Sequence, residues 1–120
     1  MSQTHNHIEN FRRERERLNE KLLKTGHKGI QRYFALDHQA YQDGALPAKV
    51  KELIGLSASL VLRCDDCITY HVTQCVEQGA TQEELLDTFN IALVVSGSIA
   101  IPHLRRAMER MEEAFEMKGA

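Results

Sequence analysis

The sequence contains only two prolines and seven glycines in 120 residues, a scarcity of chain breakers that suits long helices. It has no excess of positive charge: 15 lysines and arginines stand against 17 aspartates and glutamates, a formal net charge of −2. This excludes the strongly basic balance of a dedicated nucleic-acid binder. No apolar run approaches the ~20 residues of a membrane span, and Met1–Asn10 lacks an apolar signal core. Strand-like alternation, hairpin dipeptides, βαβ units and internal repeats are also missing, which leaves an all-α reading. Cysteine is scarce and odd in number. Three thiols cannot close a disulfide framework, and the expected setting is the reducing cytoplasm. What is present, 42% hydrophobic and 27% charged residues, is the composition of one globular domain over 1–120.

Periodicity divides the chain into five or six helices. Met1–His7 is polar and is expected to be a disordered tail. A first helix, from about Ile8 to Lys24, carries Ile8, Phe11, Leu18 and Leu22 on one side and interleaved Arg and Glu on the others. That is the pattern of a solvated or partner-facing helix. A second runs from Lys28 to Gln42 and stops at Asp43-Gly44, with Pro47 placed to open the third. The third has the clearest stripe, Val50, Leu53, Ile54, Ser57, Leu60 and Val61, beside which Gly55, Ala58 and Ser59 leave room for a close neighbour. A fourth begins near Arg63–Asp66 and ends by Gly79. Thr81-Gln82-Glu83-Glu84 is a capping-box signature that opens a fifth, Gln82 to Val95. Its Ile91–Val95 end is apolar on all sides, which predicts burial in the core or at a subunit interface. After a break at Ser96-Gly97-Ser98, Ile101, Leu104, Met108, Met111 and Phe115 recur in steps of three and four, a heptad-like seam that suggests packing against a partner.

The chemistry is concentrated in Cys64-Asp65-Asp66-Cys67-Ile68-Thr69-Tyr70-His71. Three and seven residues are close to one and two helical turns, so Cys64, Cys67 and His71 share a face. Cysteines one turn apart at a helix start reach disulfide geometry without remodelling the backbone. Unsatisfied amides there, and the adjacent Arg63, favour the thiolate; Asp65 and Asp66 oppose it unless they point away. Three readings fit these residues. One is a pair of buried thiols with a core histidine. Another is a zinc site of Cys64, Cys67 and His71, completed by Cys75 or Glu52, although structural zinc sites usually draw ligand pairs from two separated segments and no second pair occurs. The third is a redox dithiol with His71 as proton carrier, outside any thioredoxin-type context because βαβ units are absent. Glu52, on the preceding helix, is the candidate carboxylate to orient or recharge His71, although taken alone it reads as a surface residue. Cys75 reads as a buried structural thiol; His38 and His103 could border a pocket but match no motif and read as structural; and Tyr70 lies about 100° around the helix from His71.

Glu52, Cys64, Cys67 and His71 together spell E-x11-C-x2-C-x3-H, and over about Leu46 to Ala114 the sequence resembles the alkylhydroperoxidase D-like proteins of the carboxymuconolactone decarboxylase superfamily. The resemblance implies an all-α helical bundle whose short members assemble as trimers or as hexamers built from dimers. It implies that Cys67 is the peroxidatic nucleophile and Cys64 the resolving thiol, and that Glu52, acting through a bound water and His71, removes the Cys67 proton. The implied activity is a thiol-dependent peroxidase or thiol–disulfide oxidoreductase acting on a hydroperoxide, with no metal and no bound cofactor required. An external dithiol, a lipoyl domain or a thioredoxin-like partner, would re-reduce it. Asp66 stands where some peroxidase members carry a second histidine, so that helper is missing here. The decarboxylase branch generally lacks the cysteine pair. The rival readings are a metal-binding or structural helical module without turnover, and a decarboxylase-type enzyme using only Glu52 and His71.

Overall fold

All regular structure among the described residues, 6–119 of the computed structural model, is helical. The order is α1 (Asn6–Lys24), α2 (Lys28–Ala40), α3 (Ala48–Leu62), α4 (Asp65–Glu77), α5 (Gln82–Ser96) and α6 (Ile101–Met117), with one 3-10 turn at Ser98–Ala100 before α6. The all-α bundle of the sequence reading is therefore the fold. Asn6 and His7 of the expected tail open α1 instead; residues 1–5 of that tail, His5 among them, lie outside the described residues. Pro47 takes the position before the first helical turn rather than the first within it, and Asp43 Oδ1 accepts the Ala48 N–H at 2.7 Å there.

The α3 helix packs against both α4 and α5, and α4 packs against α6 on its other side. Leu56 and Leu60 of α3, Ile68 and Val72 of α4, Leu85 of α5 and Met111 of α6 meet in one core. Each such side chain, fully removed from water, contributes about 1.5–3 kcal/mol. The capping box at the start of α5 is complete: the Glu84 N–H donates to Thr81 Oγ1 at 3.1 Å, and the Thr81 N–H donates to Glu84 Oε1 at 2.9 Å. The same carboxylate receives Lys49 at 3.0 Å, tying the start of α3 to the start of α5.

Helix α1 is held chiefly by its first turns. Ile8 is fully buried, its N–H donates to the buried Glu113 Oε2 at 2.9 Å, and Arg12 pairs with Glu77 of α4. Leu18 and Leu22 further along the stripe remain exposed, and α2 contributes no buried residue at all.

Two apolar stripes differ from expectation. The α6 seam is used within the protomer: Met111 is fully buried and Leu104, Met108 and Phe115 pack against the chain's own core. Steps of three and four serve packing within a protomer as well as between protomers. At the end of α5 only Ala92 is in the core, while Ile91, Val94 and Val95 are 57%, 74% and 67% exposed. Burial in the protomer's core, one of the two alternatives for this segment, is thereby excluded. Among the described residues no helix is long and apolar enough to cross a membrane.

Candidate functional site

The site is built on the turn between α3 and α4. The Cys64 N–H donates to Ser59 O and the Arg63 N–H to Leu60 O, both at 3.1 Å, the paired bonds of a Schellman ending. Such an ending needs a left-handed residue, usually glycine, and Arg63 fills the position at φ 59°. Cys64 then acts a second time as the cap of α4, its Sγ accepting the Cys67 N–H at 3.2 Å. The sulfurs of Cys64 and Cys67 stand at disulfide distance, with Cα atoms 5.2 Å apart. Cys64 caps α4 and Cys67 lies in its first turn, where helix-start amides and the helix dipole stabilise negative charge on sulfur.

The acidic pair between the cysteines splits. Asp65 turns to α6, where His103 Nδ1 lies 2.7 Å from its Oδ1 and Arg106 Nε donates to its Oδ2 at 3.1 Å. Partial burial works to raise its pKa, but the His103 hydrogen bond and the Arg106 charge outweigh this and hold the carboxyl below its ordinary range. Its negative charge is thus met on α6 by the Arg106 guanidinium and by the His103 hydrogen bond. Asp66 has a different place, on the wall of a cavity that also reaches Cys67 and His71.

Glu52 is not a surface residue. It is 4% exposed, His71 is 9% exposed, and His71 Nδ1 stands 2.8 Å from Glu52 Oε1. The tight turn at Arg63 folds α4 back along α3 and brings these residues together. Gly55 makes the approach possible: a Cβ there would lie 2.7 Å from His71 Cε1 and 2.8 Å from Tyr41 Oη, closer than side chains tolerate. Of the small residues read from the sequence as room for a neighbour, Gly55 makes room for the imidazole.

Two tyrosines flank that imidazole. The Tyr41 ring is 5.4 Å from it and tilted, and the Tyr70 ring is 5.1 Å from it, edge to face. Burial first, and then the Glu52 carboxylate, pushes both phenol pKa values above their ordinary level, so both hydroxyls keep their protons. Sequence reasoning set Tyr70 aside because its Cα lies about 100° from that of His71. That angle fixes where the side chain leaves the helix and not where a long aromatic ring ends. Arg15 of α1 lies over the other part of this cluster, 4.1 Å from the Tyr70 ring centroid.

The cavity beside Cys67 and His71 measures about 650 Å³. Its roof comes from α1 and α2, through Phe11, Arg15 and Leu18 and through Tyr33, Phe34 and Asp37. A larger groove of about 870 Å³ runs along α1 but includes neither cysteine, so the smaller one is the candidate site. Cys75 is fully buried; burial above all, with Glu52 and Glu84 adding, pushes its thiol up to about 12. It is a structural thiol, as its position suggested. His38 is exposed on α2 beside Gln42 and takes no part in the site.

Comparison with known proteins places this arrangement among relatives. Residues 30–110 match the family described as the carboxymuconolactone decarboxylase family. A crystal structure of the Thermotoga maritima protein TM1620 is 53% identical with a TM-score of 0.89, covering 92% of this chain and 96% of that one. A second structure of that protein, 52% identical over 92% and 93% of the two chains with a TM-score of 0.87, describes a member of the same family suggested to act in an antioxidative response. The Legionella pneumophila protein lpg0406, another member, is 30% identical over 92% of this chain and 96% of that one, with a TM-score of 0.78. An uncharacterised Cupriavidus necator protein is 36% identical over 69 residues, which span 58% of this chain and 61% of that protein.

Proposed function

The chain belongs to the carboxymuconolactone decarboxylase family, and on that premise we propose that it is a thiol-dependent hydroperoxide reductase. The observation that carries the reading is the Cys64–Cys67 pair at disulfide distance, at a helix start, opening on a cavity that also holds a histidine paired to a buried carboxylate. In this reading Cys67 is the nucleophile. With Glu52 ionised, the carboxylate accepts from Nδ1–H of His71, which leaves Nε2 as the basic nitrogen to receive the Cys67 proton, directly or through water. The Cys67 thiolate attacks the distal oxygen of ROOH. The S–O bond forms as the O–O bond breaks, the alkoxide takes the proton and leaves as ROH, and Cys67 becomes a sulfenic acid. Cys64 then displaces hydroxide from that sulfur, giving the Cys64–Cys67 disulfide and water. An external dithiol, a lipoyl or thioredoxin-like partner, reduces the disulfide by exchange and is itself oxidised. The suggested antioxidative role of the Thermotoga maritima relative agrees with this chemistry.

Intact-mass and peptide spectrometry before and after one equivalent of organic hydroperoxide tests the reading. The expected product has lost two hydrogens, shared by Cys64 and Cys67, with Cys75 still a free thiol. A protein that keeps all three thiols after peroxide overturns the proposal.

The active form is proposed to be a homo-oligomer, a trimer or hexamer, assembled through the uncovered Ile91, Val94 and Val95 face of α5. Sedimentation equilibrium at micromolar concentration is expected to return a multiple of 13.7 kDa. A species of 13.7 kDa alone, or an assembly that survives Val94→Lys with Val95→Lys, would rule this face out.

A further inference from the structure

The cavity over Cys67 carries information about the charge of what enters it. Its apolar lining is largely aromatic: Phe11 from α1, Tyr33 and Phe34 from α2, and Tyr70 from α4. Its charged lining is unbalanced. Glu14 is already paired with Arg17, and the Arg15 guanidinium is engaged over the Tyr70 ring. Asp37 and Asp66 remain, one from α2 in the roof and one immediately before the reactive cysteine. A carboxylate on the substrate would meet these two like charges against one stacked arginine.

Resting on the peroxide-reducing reading above, we infer that the cavity selects uncharged aromatic hydroperoxides and rejects those bearing a carboxylate, with Asp66 and Asp37 as the specificity-determining residues. The rings supply apolar contact for the organic body, and the two carboxylates raise the energy of an anionic substrate as it approaches Cys67. The reaction itself is the one already written: one hydroperoxide and two thiols give one alcohol, one water and one disulfide.

The test compares two probes of nearly equal size, the para-carboxylate derivative of cumene hydroperoxide and the methyl ester of that acid. Second-order rate constants for Cys64–Cys67 disulfide formation are measured at pH 7 in low salt. The ester is expected to react on the order of tenfold faster, a size consistent with one or two unit charges at partly solvated separations. In the wild-type protein the ratio should fall towards one at about 0.5 M salt, as screening shortens the reach of the field. In Asp37→Asn with Asp66→Asn it should fall towards one at low salt as well. Equal rates for the two probes at low salt, or a ratio that persists in the double variant, overturn the inference while leaving peroxide reduction intact. Failure of both probes to form the disulfide overturns the underlying reading instead.

Discussion

Cys67→Ser is expected to abolish peroxide-driven disulfide formation and to lower turnover by about a thousandfold or more, because a hydroxyl at this position is not ionised at neutral pH and does not reduce an O–O bond. The informative contrast is Cys64→Ser. That variant keeps the nucleophile and loses the thiol that resolves its product, so it should consume one equivalent of peroxide and stop. The resulting sulfenic acid on Cys67 should be trapped by dimedone and seen as a single adduct by mass spectrometry. Unchanged turnover in Cys67→Ser, or a dimedone adduct on Cys64 of Cys67→Ser with none on Cys67 of Cys64→Ser, would reverse the assigned roles. Cys75 provides the internal control. Its thiol, pushed up to about 12 and fully buried, should stay unmodified in every variant that remains folded.

Glu52→Gln should slow disulfide formation at pH 7 by about a hundredfold, at the lower end of what a positioned proton-transfer group contributes. The amide is close in size to the carboxylate and still reaches His71, but it no longer stabilises a charged imidazole. The pH profile separates this from a packing defect. Once the pH exceeds the ordinary thiol value of about 8.5, the thiolate forms without help, and wild-type and variant rates should converge. A deficit that persists at high pH would assign Glu52 a structural role alone. Gly55→Ala approaches the same point from the other side of the pair. Its methyl group would collide with His71 Cε1 and Tyr41 Oη, displacing the imidazole while leaving the carboxylate in place. The same loss at pH 7 is expected, together with about 1–3 kcal/mol of destabilisation from overpacking, readable in a urea titration.

Local signals in the sequence were sufficient for much of the fold. The capping box at Thr81, the left-handed Gly79 after α4 and the break at Gly97 all recur in the structure, because each is decided by residues within one turn of the feature. The cysteine pair was legible for the same reason. Glu52 was different: a lone carboxylate beside an apolar stripe reads as a surface residue, and its burial follows from the position of the turn at Arg63. The family spacing supplied what local physics could not. Tyr41 and His103 were visible only as an apolar helix residue and a histidine without a motif; their partners, His71 and Asp65, lie 30 and 38 residues away in the chain, beyond the reach of local pattern. The roof over the cavity was equally silent. Helix α2 has an apolar side that includes Tyr33 and Phe34, but it buries no residue in the core, and nothing local to it tells that this side faces the cysteines.

Because Cys64 ends one helix through its amide and starts the next through its sulfur, the stretch between Glu52 and Cys64 behaves as a ruler. It consists of the remainder of α3 plus a single left-handed residue, with no slack anywhere along it. One inserted residue in that stretch would swing Glu52 about 100° around the axis and shift it about 1.5 Å along it, away from His71. The eleven-residue spacing is accordingly a mechanical tolerance set by helix pitch. Apart from Gly55, whose lack of a side chain admits the imidazole, side chains inside the interval can change as long as they pack, whereas its length cannot.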